Sequence, residues 1–223
     1  MSSVSVSICM PVYNGIEFIH ESVTSVIHQT YPHWELIVGI NGHPPNSDVY
    51  LNAKTYEALD SRIKVIDMFP LRGKAQALNA MLAHCSHSYV ALLDVDDWWE
   101  PNKLQVQTAF LPEYDVVGSK CVYFGDIVGC VPAIPEGDIT HHDFSKVNPI
   151  INSSSVIRKS LCFWNHVHNG VEDYDLWLRL RKQGNTFYNC PEILVKHRIH
   201  ATSAFNAKGN HNQVPTLLKE YGY

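Results

Sequence analysis

The chain has 223 residues, of which 45% are hydrophobic, 17% charged and 11% aromatic. This composition is typical of a globular protein and excludes collagen, a coiled coil and a wholly disordered chain. The 17 basic and 22 acidic residues give a formal net charge of −5. Binding to nucleic acid requires a basic surface, so the charge argues against nucleic acid as the main partner.

The first half alternates strand-like and helix-like segments. Strands are predicted at residues 4–10, 35–40, 63–69 and 89–93, and helices at residues 17–29, 49–59, 75–84 and 101–110. This alternation predicts a mostly parallel sheet with helices packed on it. In such sheets ligands bind beyond the carboxyl ends of the strands. Those ends fall at residues 13–14, 41–42, 70–74 and 94–97.

The second half is less regular. A strand pair is predicted at residues 115–124 and 127–134, an irregular loop at 135–150, a strand at 151–157, a helix at 172–183, short strands at 187–190 and 193–196, and a weak final helix within a polar tail that starts at residue 201. No internal repeat and no dividing linker is found, so residues 1–223 are predicted to form a single domain.

The six cysteines form no CxxC pair and no tight framework, which favours reduced thiols in a cytosol-like compartment. The first residues lack the basic and apolar regions of a signal peptide, and no apolar run reaches the ~20 residues of a membrane helix. We therefore expect a cytoplasmic protein without a transmembrane segment, able to work at a membrane face. A homodimer is left open.

Asp94-Val95-Asp96-Asp97 directly follows an apolar strand. Three carboxylates in four residues repel one another, and burial costs them free energy. A divalent cation at the strand end would neutralise them, and oxygen ligands suit Mg²⁺ or Mn²⁺. The competing interpretation is an acidic loop that caps the next helix.

Two further motifs allow both a chemical and a purely structural interpretation. Glu172-Asp173 opens the predicted helix 172–183, where Asp173 could act as a general base, although the helix dipole alone favours acids there. Gly73-Lys74 begins another helix and could bind an anionic diphosphate or form only a solvated, cationic helix start. No GxSxG, HExxH or GxGxxG pattern is present, which weakens hydrolase, zincin and dinucleotide-binding alternatives.

Taken in order, these segments resemble glycosyltransferase family 2, the inverting GT-A enzymes that use nucleotide-sugar donors. The matching pieces are Met10-Pro11-Val12-Tyr13-Asn14, Gly73 to Asn79, Leu93 to Asp97 with Pro101 and Leu104, Asn152 to Arg158, Glu172 to Arg179 and Arg198-Ile199-His200. The resemblance covers nearly the whole chain. It implies an α/β fold with a GT-A-type (Rossmann-like), mostly parallel central sheet, a nucleotide-sugar half at residues 1–100 and a smaller, mixed acceptor half at 101–223.

The resemblance also implies the roles of individual residues. Pro11, Tyr13, Asn14, Asn41, Lys74, Asn79, Asp94 and Asp96 would lie at the nucleotide-sugar; Asp97, Asp96 and His200 would hold Mn²⁺ or Mg²⁺; Asp173 would be the base; and Glu172 would hold the acceptor or a loop. Alanine at Asp97 or Asp173 is then expected to abolish transfer and leave the fold intact. The implied partners are a donor, with UDP-sugar favoured over GDP- or dTDP-sugar, and a glycan or glycoconjugate acceptor.

One position departs from the family pattern. The second strand usually ends in two aspartates, and here Ile40-Asn41 stand in their place. An Asn amide both donates and accepts hydrogen bonds and can still read a pyrimidine edge. The departure keeps open a degenerate protein that only binds nucleotide-sugar or glycan. A sugar nucleotidyltransferase is less favoured, because no Gly-rich, Arg-containing loop follows the first strand.

Overall fold

The computed structural model describes residues 4–201 and 210–223. The strands are β1 (Val6–Val12), β2 (Trp34–Asn41), β3 (Ile63–Met68), β4 (Tyr89–Leu92), β5 (Trp98–Trp99), β6 (Val116–Gly125), β7 (Gly137–Asp138), β8 (Val156–Arg158) and β9 (Phe187–Ile199). The α-helices are α1 (Ile19–Ile27), α2 (Asp48–Lys54), α3 (Lys74–Met81), α4 (Lys103–Gln107), α5 (Glu172–Lys182) and α6 (Asn210–Glu220). The polar tail predicted from residue 201 lies outside the described residues between 202 and 209.

Within the described residues the nine strands form one sheet in the order β3-β2-β1-β4-β8-β6-β9-β5, with β7 beside β9. The four strands β3, β2, β1 and β4 are parallel, and so is the β6–β9 pair. The antiparallel pairings extend over only two or three residues each. The predicted mostly parallel α/β sheet is therefore confirmed.

The central strands are covered on both faces, which explains why their sequences are almost entirely apolar. Val6, Ile8 and Met10 of β1 pack into the core cluster that contains residues of α1, whereas Cys9 packs into the cluster that contains residues of α3 and α5. Successive side chains in a strand point to opposite faces. The sheet thus separates two hydrophobic layers, and the loops at the ends of its strands are the main place where polar groups can reach solvent.

The predicted strand pair around Gly125 is wrong. Residues 127–134 form no strand, and Ile127 and Val128 are exposed. The partner of β6 is β9, which lies parallel to it over a ten-position register with a bulge near Lys120. At its end the amide of Asp126 donates to the carbonyl of Ile199. The distant strand wins because it buries the apolar side chains of β6, which the exposed local segment cannot do.

Other boundaries differ in smaller ways. The two short strands predicted at 187–190 and 193–196 are one continuous strand, β9. The helix predicted at 101–110 is shorter, and the two-residue strands β5 and β7 have no signal in the sequence. Strands of two residues are fixed by their partner, here β9, and not by their own composition.

All six cysteines lie in the described residues and carry free thiols. The Sγ atoms of Cys9 and Cys85 are 3.5 Å apart in the core. In residues 4–201 and 210–223 no helix combines the length and the apolar composition of a membrane span.

A lysine is fully buried beneath the sheet. Lys103 begins α4 with 0% exposure, donates to Gln107 Oε1 at 2.6 Å and lies 3.9 Å from the centroid of the Trp99 ring. Burial lowers its pKa to about 7, because the charged ammonium loses its hydration. The aromatic face favours the charged form, but it does not offset that loss.

The buried lysine predicts a pH-dependent stability. The unfolded chain binds this proton more tightly than the folded chain between about pH 7 and about pH 10.4, so the free energy of unfolding rises with pH in that window by ~1.4 kcal/mol per unit. Lys103→Met removes this contribution. Urea unfolding of both proteins at several pH values checks it: the advantage of the variant shrinks as pH rises. Parallel pH profiles for the two proteins would contradict the prediction.

Candidate active site

The carboxyl ends of the parallel strands meet at one edge of the sheet. Tyr13 follows β1, Asn41 ends β2, and residues 94–97, which we call the acidic loop, follow β4. Because β2, β1 and β4 are neighbours and run in the same direction, these segments lie side by side. Tyr13, Asn41 and the acidic loop, all predicted binding positions, are thereby brought to the same edge of the sheet, and we call this region the cleft.

An aromatic and cationic surface lies at the ends of β1 and β2. Tyr13 is 53% exposed, and a Cβ atom on Gly42 would lie 2.5 Å from its ring carbon Cε2. Gly42 has φ +80°, so the lack of a side chain permits both this backbone conformation and the close ring contact. Arg72 Nη1 is 3.3 Å from the same Cβ position. Asn41 beside them is 2% exposed.

Pro11 and Asn14 flank this surface. Pro11 lies within β1 opposite Gly39 of β2 and is partly buried. Asn14 is exposed, directly after Tyr13. With these exposures, both positions stay predicted nucleotide contacts.

Lys74 pairs with Asp94 of the acidic loop and also interacts with the charges of Glu172 and Asp173. Its Nζ atom is 2.5 Å from Asp94 Oδ1, and Asn152 donates to Asp94 Oδ2 at 3.0 Å. Burial lowers the pKa of Lys74, but Asp94 and then Glu172 and Asp173 outweigh this and raise it above its usual value. Burial raises the pKa of Asp94, whereas Lys74 brings it below its usual range. Lys74 and Asp94 are therefore both charged.

Asp96 contacts His200 across the cleft. Asp96 Oδ2 is 3.0 Å from His200 Nε2, and each side chain is 21% exposed. Burial raises the pKa of Asp96, and the neighbouring charges of Asp97 and Asp94 raise it further. A carboxylate crowded by like charges and still open to solvent gains by binding a cation.

Asp97 has a different environment from its neighbour. Its side chain is 0% exposed. Asp97 Oδ2 accepts from Ser153 Oγ at 2.5 Å and lies 2.9 Å from His197 Nδ1, and Oδ1 accepts from the amide of Arg198 at 2.8 Å. Burial lowers the pKa of His197, but Asp97 outweighs this and raises it to about 9. Asp97 Oδ2 has two partners and Oδ1 has one, which argues against the metal-ligand role predicted for Asp97 and leaves that role a prediction.

Glu172 and Asp173 begin α5, near enough to Lys74 for their charges to raise its pKa. The amide of Gly170 donates to Glu172 Oε2 at 2.5 Å, and Asn148 Nδ2 donates to Asp173 Oδ2 at 3.0 Å. Burial raises the pKa of both carboxyls, partly offset by the charge of Lys74. Glu172 holds the loop before α5, and Asp173 is the more exposed of the two.

Asn79 has a role in the fold that differs from the predicted nucleotide contact. Its side chain donates to the carbonyl of Trp164 at 2.7 Å and accepts from the amide of the same residue at 2.9 Å. This pair of bonds fixes the segment after β8 against α3. Trp164 itself is 0% exposed and belongs to the core. Neither side chain is placed to bind substrate.

Sequence reasoning missed two polar residues at the cleft. Asn148 holds Asp173, and Ser153 holds Asp97 while its Oγ also accepts from the amide of Asp94 at 3.1 Å. Both lie in irregular segments without periodicity. The one sequence signal for these two residues was the local composition, in which amide and hydroxyl side chains cluster beside prolines and turns.

A divalent cation at this site would need oxygen or nitrogen ligands from the side chains of the cleft. The described residues contain no group of three or more His, Cys, Asp or Glu side chains arranged to hold a metal. Asp96 and His200 supply an oxygen and a nitrogen, so a metal at this pair would take its remaining ligands from water and a diphosphate. Mg²⁺ and Mn²⁺ accept such mixed shells, and the pair fits them.

Known proteins resemble this chain over most of its length. The family model described as "Glycosyl transferase family 2" matches residues 7–162. The Escherichia coli enzyme WfgD, a UDP-Glc:alpha-D-GlcNAc-diphosphoundecaprenol beta-1,3-glucosyltransferase, is 32% identical over 216 residues, covering 93% of this chain and 82% of its own. The Erwinia amylovora amylovoran biosynthesis glycosyltransferase AmsE is 28% identical and covers 96% and 84%.

Solved structures share the fold. TarS 1–349 from S. aureus in complex with UDP-GlcNAc gives a TM-score of 0.79 at 16% identity, covering 98% of this chain and 65% of that one. The mannosyltransferase PcManGT from Pyrobaculum calidifontis, in complex with GDP-Man and Mn²⁺, gives 0.68 at 17% identity and covers 93% and 59%. The chain thus spans less than two thirds of the length of either structure.

The contacts of Asp97 predict a loss of stability when it is replaced. Asp97→Ala leaves a charged His197 and two further donors without their buried acceptor, which costs about 3–5 kcal/mol in the free energy of unfolding. This replaces the expectation of an intact fold. Urea unfolding measures it, with exposed Asp143→Ala as a control that changes by less than about 0.5 kcal/mol. An Asp97→Ala variant as stable as the wild type would restore Asp97 as a candidate ligand.

Proposed function

Because the chain belongs to glycosyl transferase family 2 and is a glycosyltransferase, we propose an inverting transfer from a nucleotide-diphosphate sugar to a hydroxyl of a glycan, lipid-linked or protein-linked acceptor. The observation that carries the proposal is that Lys74 interacts with two acidic groups from different parts of the chain. It pairs with Asp94 of the acidic loop at 2.5 Å, and the charges of Glu172 and Asp173 raise its pKa. Such a transfer needs one group at the leaving diphosphate and a separate base.

The donor nucleotide is proposed to bind at the ends of β1 and β2. Tyr13 offers an exposed ring for a base, Asn41 offers an amide, and Arg72 adds a cation beside them. An amide can pair with the donor and acceptor groups of a pyrimidine edge, which supports UDP-sugar. GDP- and dTDP-sugars stay open, because Ile40 and Asn41 replace the two aspartates of the family pattern.

A divalent cation, Mn²⁺ or Mg²⁺, is proposed to be held by Asp96 and His200. When bound, it would stabilise the negative charge of the nucleoside diphosphate leaving group, so that no protein acid is required. Asp94 and Lys74 remain beside the donor as a charged pair. Asp97 is proposed as a structural anchor of the acidic loop rather than as a ligand.

Asp173 is proposed to deprotonate the acceptor hydroxyl. Burial raises the pKa of Asp173 above that of an ordinary aspartate and so closer to neutral pH, which suits a general base. Asn148 fixes one of its oxygens at 3.0 Å, and the side chain stays partly exposed, which supports access by the substrate. With the base and the leaving group on opposite sides of the sugar, the attack is in line and the anomeric centre is inverted. Glu172 supports this arrangement by holding the loop at Gly170.

The acceptor is defined only by class. WfgD uses a sugar linked to diphosphoundecaprenol, as its name states, and we propose a lipid-linked sugar as the first acceptor to test. A cavity of about 280 Å³ between α3 and residues 166–169 is lined by Arg72 and His166, which would suit an anionic acceptor. The cytoplasmic placement, one domain over residues 1–223 and a homodimer stay predictions.

The alternatives make different products. A degenerate binding protein would bind donor without consuming it, and donor hydrolysis or transfer above background excludes it. A nucleotidyltransferase would release pyrophosphate from a nucleoside triphosphate and a sugar phosphate. The partly exposed carboxyl groups of Asp96 and Asp173 favour the transferase over both.

The metal assignment predicts metal-dependent donor binding. Calorimetric titration with UDP is expected to show tighter binding with Mn²⁺ than without it. Asp96→Asn should abolish this gain, because the ligand loses its charge, and exposed Asp143→Asn should keep it. UDP affinity of wild type that is independent of Mn²⁺ would contradict the metal site, and binding of GDP in preference to UDP would contradict the favoured donor.

The base assignment predicts a pH profile. A base acts in its deprotonated form, so kcat/KM should fall as pH decreases through the raised pKa of Asp173. Asn148→Ala removes a hydrogen bond that favours the carboxylate, so its acid limb should move to higher pH. Asp173→Asn should lose transfer by at least ~100-fold while UDP binding persists. Near-full turnover of Asp173→Asn in a sugar-transfer assay would refute this base.

A further inference from the structure

The side chain of Arg198 is enclosed between two aromatic rings near the cleft. Its guanidinium carbon lies 4.3 Å from the centroid of the Phe18 ring and 4.4 Å from that of Phe124. Nη2 pairs with Glu21 of α1, and Nε donates to the carbonyl oxygen of Asp96 at 3.0 Å. The side chain is 15% exposed. Its planar fork is therefore held in one position by partners on both faces and along its edge.

These contacts converge on the Asp96–His200 pair. Arg198 binds the backbone of Asp96, and its own amide binds Asp97 next along the acidic loop. His200 lies two residues further along the chain, and its ring centroid is 5.2 Å from that of Phe18, which also stacks on Arg198. One arginine thus joins the acidic loop, the end of β9 and the segment before α1.

We propose that Arg198 is a positioning residue that fixes the distance between Asp96 and His200, so that the pair is ready to share one divalent cation with the donor diphosphate. The inference rests on the proposed function and deepens it. Two protein ligands from separate segments bind a metal well only if their supports keep them together before it arrives. Arg198 binds the acidic loop through the backbone carbonyl of Asp96, which leaves the carboxylate of Asp96 for the metal.

The same contacts distinguish positioning from direct donor binding. Nε and Nη2 are already bound to Asp96 and Glu21, and the guanidinium faces are covered by rings. An arginine that held the diphosphate directly would affect UDP binding without any metal. A positioning arginine affects the affinity for metal and leaves metal-free UDP binding unchanged.

The experiment measures Mn²⁺ affinity directly, from the electron paramagnetic resonance signal of free Mn²⁺ at saturating UDP. Loss of a supporting residue around a metal site typically weakens binding by about 10- to 100-fold, and we expect this for Arg198→Met. Arg198→Lys keeps the charge but cannot form the planar pair of contacts, so it should also bind Mn²⁺ more weakly. Calorimetry with UDP alone should give the wild-type affinity for both variants.

Arg62→Met is the matched control. Arg62 also stacks on an aromatic ring, Trp34, at 3.5 Å and pairs with an acid, Asp60, but it lies at the opposite end of β2 and β3 from the cleft. Its replacement removes the same kinds of contact without touching the acidic loop. Mn²⁺ affinity within about twofold of wild type is expected for this control, in line with an ordinary surface substitution.

Three outcomes overturn the inference. Wild-type Mn²⁺ affinity in a folded Arg198→Met or Arg198→Lys protein excludes positioning, and an equal weakening in Arg62→Met shows a general loss of stability. A fall in metal-free UDP affinity equal to that for Mn²⁺ assigns Arg198 to direct donor binding. If wild type binds Mn²⁺ no better with UDP than without it, the proposed metal site itself fails, and this first titration separates the two failures.

Discussion

The buried carboxylate of Asp97 is the contact on which the candidate site depends. A charge without exposure is costly unless donors surround it, and Asp97 has three, from Ser153, His197 and the amide of Arg198. They belong to segments more than 50 residues away in the chain. One acid therefore ties the acidic loop to the turn before β8 and to the end of β9, so the loop that carries Asp96 cannot move independently of the sheet.

The topology explains why charged groups gather where they do. Parallel strands end together, and their interior positions are filled mainly by apolar side chains on both faces, so the loops at the strand ends are where charged groups can gather near solvent. The antiparallel strand β8 and the long β9 extend the same sheet beyond β4. His197 and His200 are then delivered to the acidic loop from a part of the chain about a hundred residues later.

The local sequence pattern was sufficient to predict those helices and strands whose side chains can be buried in only one way. The strands β1, β2 and β4 could be predicted from their apolar runs, and α5 from the helical spacing of its apolar residues, because burial requires apolar side chains at those positions. The partner of β6 could not be predicted. Gly125-Asp126 suggested a hairpin, yet β9 offered a longer apolar register. The two strands are more than 70 residues apart in the sequence. Their pairing is decided by competition among distant segments, so it cannot be predicted from a short stretch of sequence.

The site was predictable to the level of segments and not of individual atoms. The acidic loop was singled out because like charges at a strand end need an explanation, and Lys74 and Asp173 because they begin helices and match the family pattern. The resemblance placed Asn79 at the nucleotide, but the structure uses both ends of its amide to hold the backbone of Trp164. Whether an amide binds ligand or backbone depends on the chain that packs beside it, which the residue type does not specify.

Asp96 and Asp97 make the same point within one dipeptide. The dipeptide lies at a turn, closed by a hydrogen bond of 3.1 Å from the amide of Asp97 to the carbonyl of Asp94, and the two side chains have different exposures. One aspartate enters the protein, where three donors occupy its oxygens, and the next remains partly exposed with its pKa raised by burial and by the charge of the other. The two depend on each other. The buried charge anchors the loop, and by its repulsion it makes the exposed carboxylate a better ligand for a cation. A cluster of acids can thus bind one metal with one of its members while the others set the position and the charge that make this binding favourable.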